Sequence, residues 1–266
     1  MMFTNEWTLM VVQAPIQLPF RILGETADLI AIDKPPSLLI HPSKPGGPVT
    51  LWDRLRELLA YEIASGGQVS LINRLDRETS GIVLVAKNAQ AARHCSMAMA
   101  RGEIAKEYLA LTVGWPKSEE WSVREPILRL GEVEDSRIWL KRGVHPMGVP
   151  AHTDFRVMKR IMHPKVGPIS LVHCIPHTGR THQIRVHLTH SGYPVVGDKI
   201  YGPSEGCYLE FIETGWSAAL AEKLWLPRHA LHSCSLRVAL DKVQHSWNSA
   251  LPDDLLRFLI GSPEGC

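Results

Sequence analysis

Asn73-Arg74-Leu75-Asp76-Arg77-Glu78-Thr79-Ser80-Gly81 runs directly into Ile82-Val83-Leu84-Val85-Ala86-Lys87. A polar, charge-dense loop thus feeds a short apolar run, with Gly81 at the joint. A β-branched apolar run of this length, opened by Gly and closed by Lys, predicts a strand buried on both faces. The loop before it is then anchored at the centre of a domain, and Asp76 is held in place. Arg74 and Arg77 flank Asp76, and neighbouring cations oppose the rise in pKa that burial imposes on a carboxylate. An ionised carboxylate on a rigid loop is a candidate nucleophile or base. The plain alternative is a surface salt-bridge cluster followed by an ordinary Thr-Ser-Gly turn.

Outward from this stretch the pattern alternates between strands and helices. Upstream, Leu29 to Asp33 predicts a strand stopped by Lys34-Pro35-Pro36, and Leu38 to His41 a second short strand ended by Pro42. Leu51, Leu55, Leu58, Leu59 and Ile63 recur at helical spacing from Thr50 until Gly66-Gly67. Downstream, Asn88 caps a predicted helix over Ala89 to Ala100, with Gly102 just past its end. Lys106 to Val113 alternates, placing Lys106 and Tyr108 on one face of a strand. Ala151 to Val157, Ile169 to Ile175 and Leu231 to Ala239 predict further strands.

Ile184, Leu188 and Ser191 fit a helical period, and Gly192 with Pro194 supplies its stop. The N-terminal amides of that helix, with Arg180, would form a site for an anion or carboxylate, and Arg185 would sit one turn in. By themselves, Tyr108 reads as a structural tyrosine, and Arg185 as a surface residue or a partner in a core ion pair. Pro252 to Leu259 predicts a short closing helix. Residues 1–20, with Pro15 and Pro19, read as an N-terminal lead-in to one domain over residues 21–266.

Composition bounds the function classes. The chain has 266 residues, 45% apolar and 21% charged, an ordinary globular balance. Five cysteines without a Cys-x-x-Cys pair argue for free thiols and a reducing compartment. No apolar run approaches the roughly 20 residues of a membrane span, and the start lacks the features of a signal peptide, so a soluble cytoplasmic protein is expected. The net charge of +2 does not by itself announce nucleic acid. Its distribution says more: Arg137, Lys141, Arg142, Arg156, Lys159, Arg160 and Lys165 stand against one acid, Asp154, in a basic stripe suited to phosphates. A solvated face balanced elsewhere in the fold would read the same way.

Thirteen histidines invite a metal, but there is no His-Glu-x-x-His and no cysteine pair to complete a tetrahedral site. Gly-x-Ser-x-Gly, Walker and dinucleotide glycine motifs are missing too. Neither a metal nor a cofactor is expected.

Arg74-Leu75-Asp76 followed by Thr79-Ser80-Gly81 and an apolar run ending Ala86-Lys87 resembles the signature of the RluA-type RNA pseudouridine synthases. Lys106-Glu107-Tyr108-Leu109-Ala110-Leu111-Thr112-Val113-Gly114 is similar to a second stretch of that family. Thr178-Gly179-Arg180-Thr181-His182-Gln183-Ile184-Arg185-Val186-His187-Leu188, continuing to Asp198 and Tyr201-Gly202, is similar to a third. Asp33-Lys34-Pro35-Pro36 with Ile40-His41-Pro42-Ser43, and Arg228-His229-Ala230-Leu231-His232-Ser233, add to it in the family's order over about residues 20 to 260.

The resemblance implies an α+β fold, with a mixed, largely antiparallel sheet flanked by helices and a central RNA-binding cleft. It also implies isomerisation of specific uridines in tRNA or rRNA. Many members of the family carry a small S4 domain ahead of the catalytic one, for which about 20 leading residues are too few, and a monomer is expected. Asp76 would be the catalytic residue, Tyr108 would stack on the target base as a catalytic candidate for the proton transfer that completes the reaction, and Arg185 would pair with Asp76 and hold it charged. Arg74 would hold the displaced strand or fill the vacated space, and Lys106 and Arg180 would contact RNA. Leu231 would pack against the uracil. Asn73 and Ser37 depart from the usual His and Gly of the family. A silent RNA-binding protein on the same scaffold is the alternative from another class.

Overall fold

The computed structural model describes residues 18–42, 46–240 and 242–261. The expected lead-in over residues 1–20 lies mostly outside the described residues, and so does Ser43 of the Ile40-His41-Pro42-Ser43 match.

Strand β1 (Arg21–Glu25) pairs antiparallel with β2 (Leu29–Lys34), the strand expected before the proline pair. Leu38 to His41, expected as a second strand, is loop instead. Its carbonyls are engaged elsewhere: Leu38 O accepts from Lys34 Nζ, Leu39 O from the Leu51 amide and Ile40 O from the Trp52 amide. The segment thus satisfies the orphan amides of a helix start rather than a strand ladder. That helix is α1 (Leu51–Leu58), opened by a capping box between Thr50 and Asp53. A break at Leu59 precedes α2 (Ala60–Ala64), so the helical stretch is two helices.

After β3 (Ser70–Leu71), the apolar run that follows Gly81 forms β4 (Ser80–Ala86), buried along its whole length. Asn88 Oδ1 accepts the Ala91 amide and caps α3 (Ala89–Ala100), which leads to β5 (Ala105–Val113). The stretch from 115 to 165 holds β6 (Glu120–Val123), β7 (Ile127–Arg129), β8 (Arg142–Val144) and the long β9 (Thr153–His163). Only the start of β9 was predicted, because its exposed Arg156, Met158, Lys159 and Arg160 blur the alternation. The chain continues through β10 (Gly167–Pro176), α4 (Gln183–His190), α5 (Gly206–Thr214) and α6 (Ala218–Leu224). It closes with β11 (Leu231–Leu240), β12 (Val243–Asn248) and α7 (Asp253–Leu259).

The main sheet runs β1-β2-β4-β11-β5-β10-β9-β6, with β12 on β11 and β3 on β4, while β7 and β8 pair apart. Among these pairings only β4 with β11 is parallel, so the fold is the expected α+β type with a largely antiparallel sheet. Strand alternation sorts the core into two layers. Ile30, Ile32, Val83 and Val85 pack with Leu51, Leu55, Leu188 and Leu255 from α1, α4 and α7. Leu29, Ala31, Ile82 and Leu84 face the other way, onto Ala91, Cys95 and Ala98 of α3. Cys95, Cys174, Cys207 and Cys234 are free thiols.

The basic stripe is divided by this topology. Arg137, Lys141 and Arg142 belong to the β7–β8 segment, whereas Arg156, Lys159 and Arg160 lie on β9. Lys141 pairs with Glu205 and Arg160 with Glu119, so part of the charge is balanced within the fold.

The parallel contact between β4 and β11 fixes the opening strand. Gly81 lies opposite Ser233 with φ +108, and a Cβ there would stand 2.2 Å from Ser233 O. Gly81→Ala therefore combines a left-handed backbone with a backbone clash. It is expected to cost about 3 kcal/mol or more, read as a lowered urea midpoint.

Candidate active site

The loop before β4 is tied down at almost every residue. Asn73 Nδ2 donates to Ile82 O and Asn73 Oδ1 accepts the Leu84 amide, so the side chain that departs from the family pattern pins the loop along β4. The Arg77 carbonyl accepts from the buried Lys34 Nζ at 3.1 Å and from the Ser37 amide at 2.9 Å. Burial first, then the Arg228 charge, pulls the Lys34 ammonium down to about 7, against the pull of Asp76. Thr79 Oγ1 bonds His229 Nε2 at 2.7 Å. Ser37, where the family often has Gly, adopts φ 68, a conformation that glycine enters without strain.

Glu78 completes the clamp. Its carboxylate accepts from Lys199 Nζ at 2.6 Å and from the His229 amide at 3.2 Å, and Lys199 also reaches Pro227 O. Burial opposes ionisation, but bonds and charges from His229 and Lys199 prevail and bring the Glu78 pKa down to about 2. A carboxyl lowered on folding adds stability above its unfolded pKa and loses it as the pH falls through the folded value. Wild type should therefore lose up to roughly 3 kcal/mol relative to Glu78→Gln between about pH 4.5 and about pH 2, measured by urea titrations across that window.

Asp76 is held from across the fold. Arg185 Nη1 donates to Asp76 Oδ2 at 2.8 Å, while Arg185 Nε and Nη2 reach Asp198 Oδ2 and Oδ1 at 2.7 and 2.8 Å. Asp198 is fully buried and also accepts the Ile200 and Tyr201 amides. Arg185, 4% exposed, thus bridges two carboxylates and lies 4.9 Å over the Tyr201 ring. Burial pushes the Asp76 carboxyl up, and the charges of His182, Arg185 and His229 more than reverse it, leaving the pKa below its ordinary value. His182 is itself pulled down to about 4 by burial and by Arg185, so at neutral pH the standing charge beside Asp76 is the Arg185 guanidinium. This corrects the assignment of that task to Arg74 and Arg77, which are both exposed and make no ion pair with Asp76 among the described residues, where Arg185 does.

Asp76, Arg74, Lys106, Tyr108, Arg180, Arg185 and Leu231, the residues singled out in the sequence, all line one cleft of about 690 Å³. Tyr108 and Leu231 present buried apolar surface on its floor, with Ala110 of β5 opposite Leu231 of β11 in register. Burial pushes the Tyr108 phenol well up, so it stays protonated. Lys106, 8% exposed, has Met99 Sδ at 3.6 Å as its side-chain partner, and burial pulls its pKa down. Arg180 Nε is tied to Pro150 O, and its amide is taken by Gln183 Oε1, so that amide is not free for the anion site expected at the start of α4. Arg74 makes no side-chain hydrogen bond or ion pair among the described residues.

Asp198, His182, Tyr201 and the Glu78–Lys199–His229 clamp carried no role in the sequence reading. The one available signal was Arg185 itself: an arginine on an inward helix face requires a buried acid, and Asp198 follows within the same stretch.

His177, which lines the cleft, gathers with His152 and Asp154 in a cluster of metal-type side chains. The two rings stack at 4.2 Å and 15°, and each Nε2 bonds a different Asp154 oxygen. In-plane lone pairs of parallel rings do not converge on one point, so this is a hydrogen-bonded cluster rather than a formed metal centre.

Known proteins share this arrangement of sequence and fold. The profile described as RNA pseudouridylate synthase matches residues 28–190. Ribosomal large subunit pseudouridine synthase D of Yersinia pestis is 34% identical over 256 residues, covering 92% of this chain and 71% of that protein. The protein of the same name from Escherichia coli strain K12 is also 34% identical, over 259 residues, with the same coverage. Among solved structures, human RNA Pseudouridylate Synthase Domain Containing 1 superposes with a TM-score of 0.66 at 26% identity, covering 90% of this chain and 85% of that one. Human RNA Pseudouridylate Synthase Domain Containing 4 shares the fold with a TM-score of 0.68 at 24% identity, covering 91% and 92%. With its profile match, its relatives at a third identity over nearly the whole chain and its shared fold, the chain belongs to the RNA pseudouridine synthases of the RluA type.

Proposed function

We propose that this enzyme converts specific uridines of structured RNA to pseudouridine with Asp76 as the catalytic nucleophile. The observation that carries this reading is the Asp76–Arg185–Asp198 chain in the cleft: a carboxylate held ionised against burial, with one oxygen bonded and the other free. The reaction breaks the bond from ribose C1′ to uracil N1, turns the base and rejoins it through C5. Atoms are neither gained nor lost, so a nucleophile and proton transfers suffice without a cofactor.

The target base has to leave its stack to reach a cleft floor, at a cost of a few kcal/mol. Tyr108 offers the face on which it stacks, and Leu231 packs against its other side. Arg74, unpaired and exposed, holds the strand from which the base was taken. Lys106 and Arg180 neutralise backbone phosphates. Residues 21–266 form the catalytic domain, acting as a monomer in the cytoplasm.

Among the described residues no helix is long and apolar enough to cross a membrane. The names of the bacterial relatives support ribosomal RNA of the large subunit as the first substrate to assay, with tRNA in parallel. The test is tritium release from RNA labelled at uridine C5, taken from cells lacking this gene. Release by the wild-type protein is expected. RNA that binds without release would favour a silent RNA-binding protein on the same scaffold.

A further inference from the structure

His182 lines the cleft and has no task in the reaction as described so far. It opens α4 from the left-handed region, at φ 59, where a residue with a Cβ stays only when its surroundings hold it. As N-cap residue it makes no side-chain capping bond. Its ring bonds the Tyr201 hydroxyl through Nδ1 at 2.8 Å, and Nε2 stands 4.0 Å from Asp76 Oδ1.

Tyr201 reveals where the ring's proton sits. The Tyr201 oxygen accepts the Arg142 backbone N–H at 2.9 Å, a group able only to donate. The hydroxyl proton then has one hydrogen-bond partner left among the described residues, His182 Nδ1. Were Nδ1 protonated instead, a phenol proton on a residue 6% exposed would face no acceptor among the described residues. Burial pushes the Tyr201 pKa up, so the phenol keeps its proton. Burial and the Arg185 charge keep the imidazole neutral, so its single proton belongs on Nε2.

Arg185 occupies Asp76 Oδ2, which leaves Oδ1 without a hydrogen bond among the described residues, with the His182 Nε2–H beside it. Their separation is too long for a mutual hydrogen bond and leaves room for a substrate atom flanking Oδ1. We propose that His182, fixed by Tyr201 as the Nε2–H tautomer, donates a hydrogen bond to the uracil carbonyl beside N1 and stabilises the charge the base gains as it leaves C1′. When the C1′–N1 bond breaks, its electron pair stays on the uracil and spreads to O2 and O4, while C1′ is met by Asp76 Oδ1. His182 keeps its proton throughout. A neutral donor fits this place, because it adds no second cation beside Arg185 and, unlike an imidazolium, has no readily lost proton to pass to the Asp76 carboxylate. His182 is then a catalytic residue and Tyr201 a positioning residue. The inference rests on the reading of Asp76 as the nucleophile.

Two measurements test it. Nitrogen-15 spectra of the RNA-free protein at neutral pH should show His182 as the Nε2–H tautomer, and Tyr201→Phe should shift it towards the Nδ1–H form. Single-turnover rates of pseudouridine formation should fall about 10²-fold in His182→Ala with RNA affinity within about threefold, and His182→Gln, which retains an N–H donor, should recover about tenfold. A wild-type Nδ1–H tautomer overturns the inference whatever Asp76 does. So does a His182→Ala rate within about threefold of wild type, or a His182→Gln rate no better than His182→Ala. An active Asp76→Asn protein would instead overturn the reading of Asp76 on which the inference rests, and the tautomer spectra would be unaffected by that result.

Discussion

Asp76→Asn is expected to lower pseudouridine formation by about 10⁴-fold or more while RNA affinity stays within about threefold. The substitution preserves shape. An asparagine oxygen can still accept from Arg185 Nη1, now at 2.8 Å from Asp76 Oδ2, and the Arg185 fork on Asp198 is untouched. What is lost is the negative charge and the nucleophilic lone pair of the free oxygen. An amide neither attacks a sugar carbon nor takes up a proton at neutral pH, and no second carboxylate stands ready: Asp198 is fully buried and committed to Arg185 and two backbone amides. Binding should survive because Arg74, Lys106 and Arg180, which would carry the phosphate contacts, make no bond to Asp76. The check is tritium release and filter binding on the same RNA preparation. Release at the wild-type rate by Asp76→Asn would remove Asp76 from the chemistry. Binding by both proteins with release by neither would identify a silent binder.

The parts of this site that were legible in the sequence are those whose signal is local. Ile82 to Ala86 announced a central strand because burial on both faces leaves no polar position, and β4 is buried throughout. Asn88 announced a helix start because its side chain caps the residues just after it. What stayed hidden depends on partners far along the chain. Arg77 lies next to Asp76 and makes no ion pair with it among the described residues, whereas Arg185, 109 positions away, does. Lys199 and His229, which clamp Glu78, are likewise remote from it in sequence. Leu38 to His41 reads as a strand because an apolar run cannot declare where its carbonyls go, and here those of Leu39 and Ile40 cap α1. α5 and α6 were missed where Gly, Ser and Trp interrupt short helices, although Ser217 caps α6 in the ordinary way.

Arg185→Met should be the most damaging single change to stability in the cleft, at about 3–5 kcal/mol, because it strips a buried carboxylate of its counter-ion. Asp198 has no exposed surface, and without the guanidinium only the Ile200 and Tyr201 amides remain to oppose its desolvation. Arg185→Lys should rescue little, since a single ammonium cannot fork onto Asp198 and also reach Asp76. Adding Asp198→Asn to Arg185→Met removes the stranded charge and should recover a good part of the stability, which gives a folded protein in which the second role of Arg185 can be read. In that double variant Asp76 faces its burial without its bonded cation, and its pKa rises where the wild-type value lies below the ordinary carboxylate range. The acid limb of the single-turnover rate should therefore move to higher pH, with a lower plateau even where Asp76 is ionised, because Oδ2 has lost its bond. Urea midpoints measure the first effect and a pH series of rates the second. A double variant as stable as the single one would show that Asp198 does not depend on Arg185, and an unmoved acid limb would show that Asp76 does not.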